Sequence, residues 1–247
     1  MNSEEPGRVR SRWKAVAWGV VGVAALLLFL FGLVVPPGRT VADSQISRTR
    51  ALVQSLSVGL EAFKSDWGVY PPSSRRDGGA KDYGYQNLAY YLMGPTGEGW
   101  GAPVGGQLPL NGQSDHTYGP YLEDEAGKTT DGVLDAFRPP KPILYFRFDP
   151  KRDPPYDVHD NPVDPTCRTG FASREHFELS AKYRDNEEIL RWQREDYLLI
   201  SPGRDRLYGY VVEDEKTGGC RAATYRPATR EDIEAGRAVW DDVTNFQ

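Results

Sequence analysis

The chain has 247 residues, the length of one or two domains, so it can bury a substantial hydrophobic core. Only 39% of the residues are hydrophobic, and 26 glycines and 19 prolines indicate that loops outnumber regular elements. The net charge of -5, with basic and acidic residues interleaved after Gly38, excludes the basic surface that a nucleic-acid-binding protein needs.

A continuous hydrophobic segment, residues 15–35 (AVAWGVVGVAALLLFLFGLVV), predicts a transmembrane helix. At 1.5 Å per residue such a helix spans about 30 Å, the thickness of the hydrocarbon core of a bilayer. Basic residues crowd residues 8–14, whereas only Arg39 lies close to the other end, so the positive-inside rule places the N-terminus in the cytoplasm. We therefore expect a cytoplasmic tail over residues 1–14, a single-pass anchor in the cytoplasmic (inner) membrane, and an extracytoplasmic domain over residues 36–247.

A cleaved signal peptide is the alternative for this segment. It also begins with basic residues, and Thr40-Val41-Ala42 resembles a small-x-small cleavage site. The hydrophobic run exceeds the roughly 7 to 15 residues of a signal peptide. This length favours an anchor that is retained.

The first element beyond the membrane is a predicted amphipathic helix over residues 41–67. Residues 36–38 (PPG) predict a break before it, Asp43 or Ser44 can cap its start, and Gly68 ends it. Its apolar residues recur every three, four or seven positions and predict one core-facing stripe: Ile46, Val53, Leu56, Leu60, Phe63 and Trp67.

The rest of the chain alternates between short elements and loops. A short helix is predicted over residues 87–93 (NLAYYLM), between a polar loop over 73–84 and a second loop over 94–119. Aromatic and branched residues predict three strands, over residues 143–148, 197–200 and 208–212. The proline-rich residues 149–170 predict an excursion outside the core, and Thr229 with Asp232 resembles a helix capping box.

These elements predict an α+β fold, in which the long amphipathic helix packs on a small antiparallel β-sheet. The two cysteines, Cys167 and Cys220, predict a disulfide if the domain lies outside the cytoplasm. Closing a loop of that length stabilises a fold by roughly 4 kcal/mol in the chain-entropy model. Two unpaired thiols are the alternative.

Signatures of catalysis are missing from the sequence. There is no nucleophile elbow, no phosphate-binding loop and no His-Glu-x-x-His motif. The histidines, His116, His159 and His176, lie at no metal-ligand spacing and predict surface or turn positions. We therefore expect that the chain is not an enzyme.

Four segments resemble type IV pilin-like proteins, in particular the major pseudopilin of type II secretion systems. The first, residues 63–71 (FKSDWGVYP), is similar to the sequence that ends the long helix in that family. The second and third are similar to a family strand and to the turn Tyr-x-Leu-x-Ser-x-Gly-x-Asp: residues 135–146 (DAFRPPKPILYF) and 196–205 (DYLLISPGRD). The fourth, residues 240–246 (WDDVTNF), is similar to the terminal Asp-Asp-Ile-x-Asn-Trp.

The resemblance implies a pilin-like fold and a structural or protein-interaction role in a type II secretion or pilus-like apparatus. The partners would be the lipid bilayer and either other proteins or further copies of the chain. The family uses its last two motifs to hold calcium, which binds several oxygen ligands. The matching ligands are the carboxylates of Asp205, Asp241 and Asp242 and the carbonyls of Leu199 and Ser201. In the alternative interpretation these aspartates form hydrogen bonds with nearby turn amides.

The N-terminus differs from that of a prepilin, in which a glycine cleavage site is followed by Phe-Thr-Leu-x-Glu. Here Gly7 is followed by Arg8, and no acidic residue occurs between Glu5 and Asp43. The sequence therefore predicts an atypical pseudopilin-like protein. An anchored hydrolase and a calcium-dependent binding module are the alternatives.

Overall fold

The computed structural model describes residues 37–95, 97, 99–101, 117–122, 128–129, 132–153, 155–184, 196–213 and 225–245. The chain divides into two compact units, Met1–Ser44 and Gln45–Gln247. Of the first unit, only residues 37–44, which are helical, belong to the described part. The predicted tail and membrane segment, residues 1–14 and 15–35, lie outside it.

The described ranges contain four α-helices and nine short strands. The α-helices are α1 (Pro37–Trp67), α2 (Gly84–Met93), α3 (Arg174–Arg184) and α4 (Arg230–Glu234). The strands are β1 (Trp100–Gly101), β2 (Thr117–Tyr118), β3 (Lys128–Thr129), β4 (Gly132–Val133), β5 (Leu144–Arg147), β6 (Tyr197–Ser201), β7 (Val211–Glu213), β8 (Tyr225–Pro227) and β9 (Val243–Thr244). Two 3₁₀ turns, Arg75–Asp77 and Val158–Asp160, complete the list.

Helix α1 begins earlier than the sequence predicts. The described part of the chain is already helical at Pro37, so the predicted start near residue 41, with a cap at Asp43 or Ser44, is wrong. The predicted end is confirmed, since Gly68 adopts a φ of 74° and its N–H donates a 2.7 Å hydrogen bond to the carbonyl of Lys64.

The apolar stripe of α1 faces the core, as predicted. Its central residues are almost fully buried: Val53, Leu56, Leu60 and Phe63. Ile46 and Trp67 are partly buried against the same core. None of the helices in the described ranges combines the length and apolarity needed to cross a membrane.

The main sheet has three antiparallel strands in the order β5-β6-β9. Two of them confirm predicted strands, with Tyr145 paired to Leu199 in the centre. The third strand, β9, lies within the segment that resembles the family's C-terminal motif, and it pairs Val243 with Ser201. The α+β fold with a helix and a small antiparallel sheet is therefore confirmed.

Both faces of this sheet are buried, because successive side chains of a strand point in opposite directions. Tyr145 and Leu199 join the core beneath α1 and α2. The alternate residues of β5 and β6 join a second core: Leu144, Phe146, Leu198 and Ile200. That second core contains Tyr156 and Val158, so the prediction that residues 149–170 lie outside the core is wrong.

Two further differences from the sequence prediction concern short elements. The strand expected over residues 208–212 is β7, which pairs with β8 in a separate two-stranded sheet. In the loop predicted over residues 94–119, β1 and β2 pair with each other. The capping box at the start of α4 is confirmed, with Thr229 and Asp232 bonded reciprocally.

Candidate metal centre

The pairing of β6 with β9 brings two distant segments together. Because the strands are antiparallel and Ser201 pairs with Val243, the residues that follow β6 lie opposite those that precede β9. The predicted ligands Asp205, Asp241 and Asp242 meet at this point, with one oxygen of each carboxylate within 4.8 Å of the others. The long connection between them does not separate its ends, since Val211 and Val239 bond to each other beside the site.

Asp241 lies at the centre of the cluster. Its Oδ2 accepts hydrogen bonds from the backbone N–H groups of Arg204 (2.8 Å) and Asp205 (2.9 Å). Its Oδ1 is buried and has no hydrogen-bond partner among the residues that the structure describes. Gly203, at a φ of 59°, permits this close packing, because a Cβ there would lie 2.6 Å from that same Oδ1.

The other two carboxylates are held by the loop that follows β6. Asp205 Oδ1 accepts a 2.8 Å hydrogen bond from the N–H of Leu207, and Asp242 Oδ2 accepts one of 2.9 Å from the N–H of Gly209. Burial, followed by the negative charge of Asp241, raises the pKa of Asp205 to about 8. The turn hydrogen bonds of the alternative interpretation are therefore present, and the same three carboxylates concentrate negative charge at one point.

This donor set suits a hard cation. Three carboxylates offer only oxygen ligands, which calcium and magnesium prefer. A cation would also neutralise the repulsion that raises the pKa of Asp205. The buried Oδ1 of Asp241 would gain a partner.

Strand β6 contains the two predicted carbonyl ligands. The N–H of Leu199 donates to Asn245 Oδ1 at 2.7 Å, and the hydroxyl of Ser201 donates to Asp135 Oδ2 at 2.9 Å. Their contribution of carbonyl oxygens to a metal stays a prediction. Calcium itself stays a prediction as well.

A buried ion pair next to the cluster has a role that the sequence analysis missed. Arg206 Nη1 donates to Asp135 Oδ2 at 2.6 Å, and the Asp135 side chain is fully buried. Lys141 Nζ donates at 2.5 Å to the carbonyls of Arg168 and Arg206, and burial lowers its pKa. These contacts fix the position of Arg206, which follows Asp205 in the chain. Asp135 begins one of the family-like segments, but the sequence around a single aspartate does not indicate which basic residue it pairs with.

Cys167 and His176 form a buried pair on the other side of the loop. Cys167 forms no disulfide with a described residue, and its Sγ lies 3.8 Å from His176 Nδ1. His176 Nε2 lies 2.7 Å from the carbonyl of Tyr210, and Nδ1 accepts from the N–H of Ala172, so the imidazole is neutral with its proton on Nε2. Burial raises the pKa of Cys167 to about 12 and lowers that of His176. This environment disfavours a reactive thiolate.

The sequence predictions for these groups have different outcomes. The surface or turn position expected for His176 is wrong, because it lies in α3 and is 4% exposed. His159 lies in a 3₁₀ turn, as expected. Cys220 and His116 lie outside the described residues, and the disulfide between Cys167 and Cys220 stays a prediction.

Comparisons with protein-family models, with curated proteins and with solved structures find no match. The resemblance to pseudopilins therefore depends on the four sequence segments alone.

Proposed function

We propose that the chain is a membrane-anchored, pilin-like structural component of a type II secretion or pilus-like apparatus. In this proposal the N-terminal hydrophobic segment holds it in the inner membrane. The α+β domain lies on the extracytoplasmic side and contacts other proteins or further copies of the chain. A calcium ion held by Asp205, Asp241 and Asp242 fixes its C-terminal segment.

The observation that carries the proposal is that the four family-like segments contact one another through β6 and its flanking residues. At the start of β6, Asp196 Oδ2 lies 2.9 Å from Lys64 Nζ at the end of α1 and 3.1 Å from the hydroxyl of Tyr70. Further along, Ser201 bonds to Asp135. Beyond the strand, Asp205 bonds to Asp241. Residues that are distant in the sequence and resemble one family thus form one connected structure.

A calcium-dependent binding module is the second candidate, because the aspartate cluster would serve it equally well. The two candidates differ in what α1 does. A structural component uses the outward face of its long helix against a neighbouring subunit. Val58 lies on that face and is 65% exposed.

Membrane topology and cross-linking test the proposal in cells. We expect protease added to intact spheroplasts to degrade a C-terminally tagged domain. A photoreactive amino acid at position 58 should form a cross-link to another protein subunit, whereas one at Tyr225, 43% exposed in β8, serves as the control. A protected domain would contradict the anchor, and equal cross-linking at both positions, or none at position 58, would contradict the structural role.

A further inference from the structure

An open pocket of about 420 Å³ lies beside the 3₁₀ turn that follows α1. It shares no residue with the aspartate cluster. Its lining is polar and comes from three parts of the chain: Ser74, Arg75, Arg76, Asp82, Tyr83 and His159. Two guanidinium groups and one carboxylate give the lining a positive charge, in a protein whose net charge is -5.

The cations of this pocket differ in their partners. Arg75 Nε forms an ion pair of 3.1 Å with Asp82. Arg76 is exposed, and its guanidinium has no ion-pair or hydrogen-bond partner in the described ranges. Ser74 is only 2% exposed; its hydroxyl lies near the Asp160 carboxylate without a hydrogen bond of normal geometry. The guanidinium of Arg76 is therefore a donor group that no acceptor among the described residues occupies.

One wall of the pocket is aromatic. Tyr83 is 37% exposed, and its ring stacks on Tyr85 with centroids 5.9 Å apart and an interplanar angle of 11°. The Tyr85 ring holds the Tyr83 ring in place and leaves part of it open to solvent. An amphipathic ring fixed in this way is a suitable surface for the apolar face of a small ring-shaped ligand.

We propose that this pocket binds an anionic sugar, with its oxyanion on Arg76 and His159 and its ring against Tyr83. A planar guanidinium binds phosphate or carboxylate through paired hydrogen bonds, which are stronger than neutral ones. A pyranose that carries either group supplies both the charge for Arg76 and the ring face for Tyr83. The Arg75–Asp82 pair borders the site and offers polar groups to the sugar hydroxyls.

Isothermal titration calorimetry on the full chain in mild detergent tests the proposal, with glucose 6-phosphate and glucuronate as probes. Glucose and inorganic phosphate separate the contributions of the ring and of the anion. We expect at least one anionic sugar to bind more tightly than glucose and inorganic phosphate do. Whichever of glucose 6-phosphate and glucuronate binds more tightly identifies the preferred oxyanion. Arg76→Gln should weaken this binding about five-fold. Tyr83→Ala should weaken it and Tyr83→Phe should preserve it.

Arg50→Gln is the matched control, because Arg50, like Arg76, is exposed and has no ion-pair or hydrogen-bond partner among the described residues, and it lies on α1 outside the pocket lining. It should leave binding unchanged, and the melting temperature of each variant verifies that it is folded. The proposal is overturned if neither anionic sugar binds at about 10 mM. It is also overturned if neither anionic sugar binds more tightly than inorganic phosphate and glucose, or if the control variant weakens binding as much as Arg76→Gln.

Discussion

The backbone N–H of Asp205 donates a hydrogen bond of 2.9 Å to Oδ2 of Asp241, a residue 36 positions further along the chain. This bond joins the loop after β6 to the segment before β9. It places two carboxylates side by side in a partly buried site, where they repel each other unless a proton or a cation neutralises them. The stability of the contact between these two segments therefore depends on whether the charges of Asp205 and Asp241 are neutralised.

The docking of α1 on the core predicts a large loss of stability for Phe63→Ala. Phe63 is fully buried, and its ring contacts Tyr91 and Tyr121 with centroids 6.0 and 5.5 Å away. Its removal leaves a cavity and should lower the free energy of unfolding by about 3 to 5 kcal/mol. Val58→Ala on the exposed face of the same helix should change it by less than about 0.5 kcal/mol. Urea denaturation measures both, and equal effects would show that the stripe does not face the core.

The buried ion pair beside the cluster predicts a second large effect. Asp135→Ala leaves the guanidinium of Arg206 without its carboxylate in a site where only 14% of the Arg206 side chain is exposed. Removing one partner of such a pair should lower the free energy of unfolding by about 3 to 5 kcal/mol. Glu234→Ala removes the exposed pair with Arg230 and should cost less than about 1 kcal/mol. A loss for Asp135→Ala no larger than that of the control would contradict this account.

Asp160 predicts a pH dependence of stability. Burial, followed by the charges of Asp77 and Asp157, raises its pKa from 3.8 to about 6, against the hydrogen bond from Ser73. The Arg152 guanidinium also faces Asp160, with Nη1 3.9 Å from Oδ1. The folded state therefore binds a proton that the unfolded state has lost between these pH values. The resulting stability is fully present below pH 3.8 and is lost as the pH rises through about 6.

The Asp160→Asn variant isolates this effect because it cannot ionise. The free energy of unfolding of the wild type relative to this variant should fall by about 2.4 kcal/mol between pH 4 and pH 7. Urea denaturation across that range measures the difference. A constant difference would mean that the pKa of Asp160 is not raised in the folded protein.

The sequence predicted those parts of the fold that local patterns determine. The spacing from Ile46 to Trp67 identified the buried face of α1, and the aromatic runs identified β5 and β6. The aspartates of the cluster were predicted from the family resemblance, and the structure brings them together. Each of these features is visible in a short segment or in a known motif.

The parts that were missed depend on distant contacts. Helix α3 has a polar sequence, and its buried residues include His176 and Phe177, which pack on a core that no local pattern reveals. The proline-rich segment contributes Tyr156 to that core, although its composition is typical of a loop. The Asp135–Arg206 pair joins residues 71 positions apart, and only the packed structure shows it.

The central claim is that a cation bound by Asp205, Asp241 and Asp242 fixes the C-terminal segment. Thermal unfolding of the full chain in calcium and in chelator tests it most directly. At calcium concentrations about 100-fold above the dissociation constant, binding adds about 2.7 kcal/mol, which for a domain of this size raises Tm by about 5 to 10 °C. Asp241→Asn should abolish the rise, whereas Asp153→Asn, at an exposed position, should preserve it. A wild-type Tm that is the same in calcium and in chelator would contradict the account.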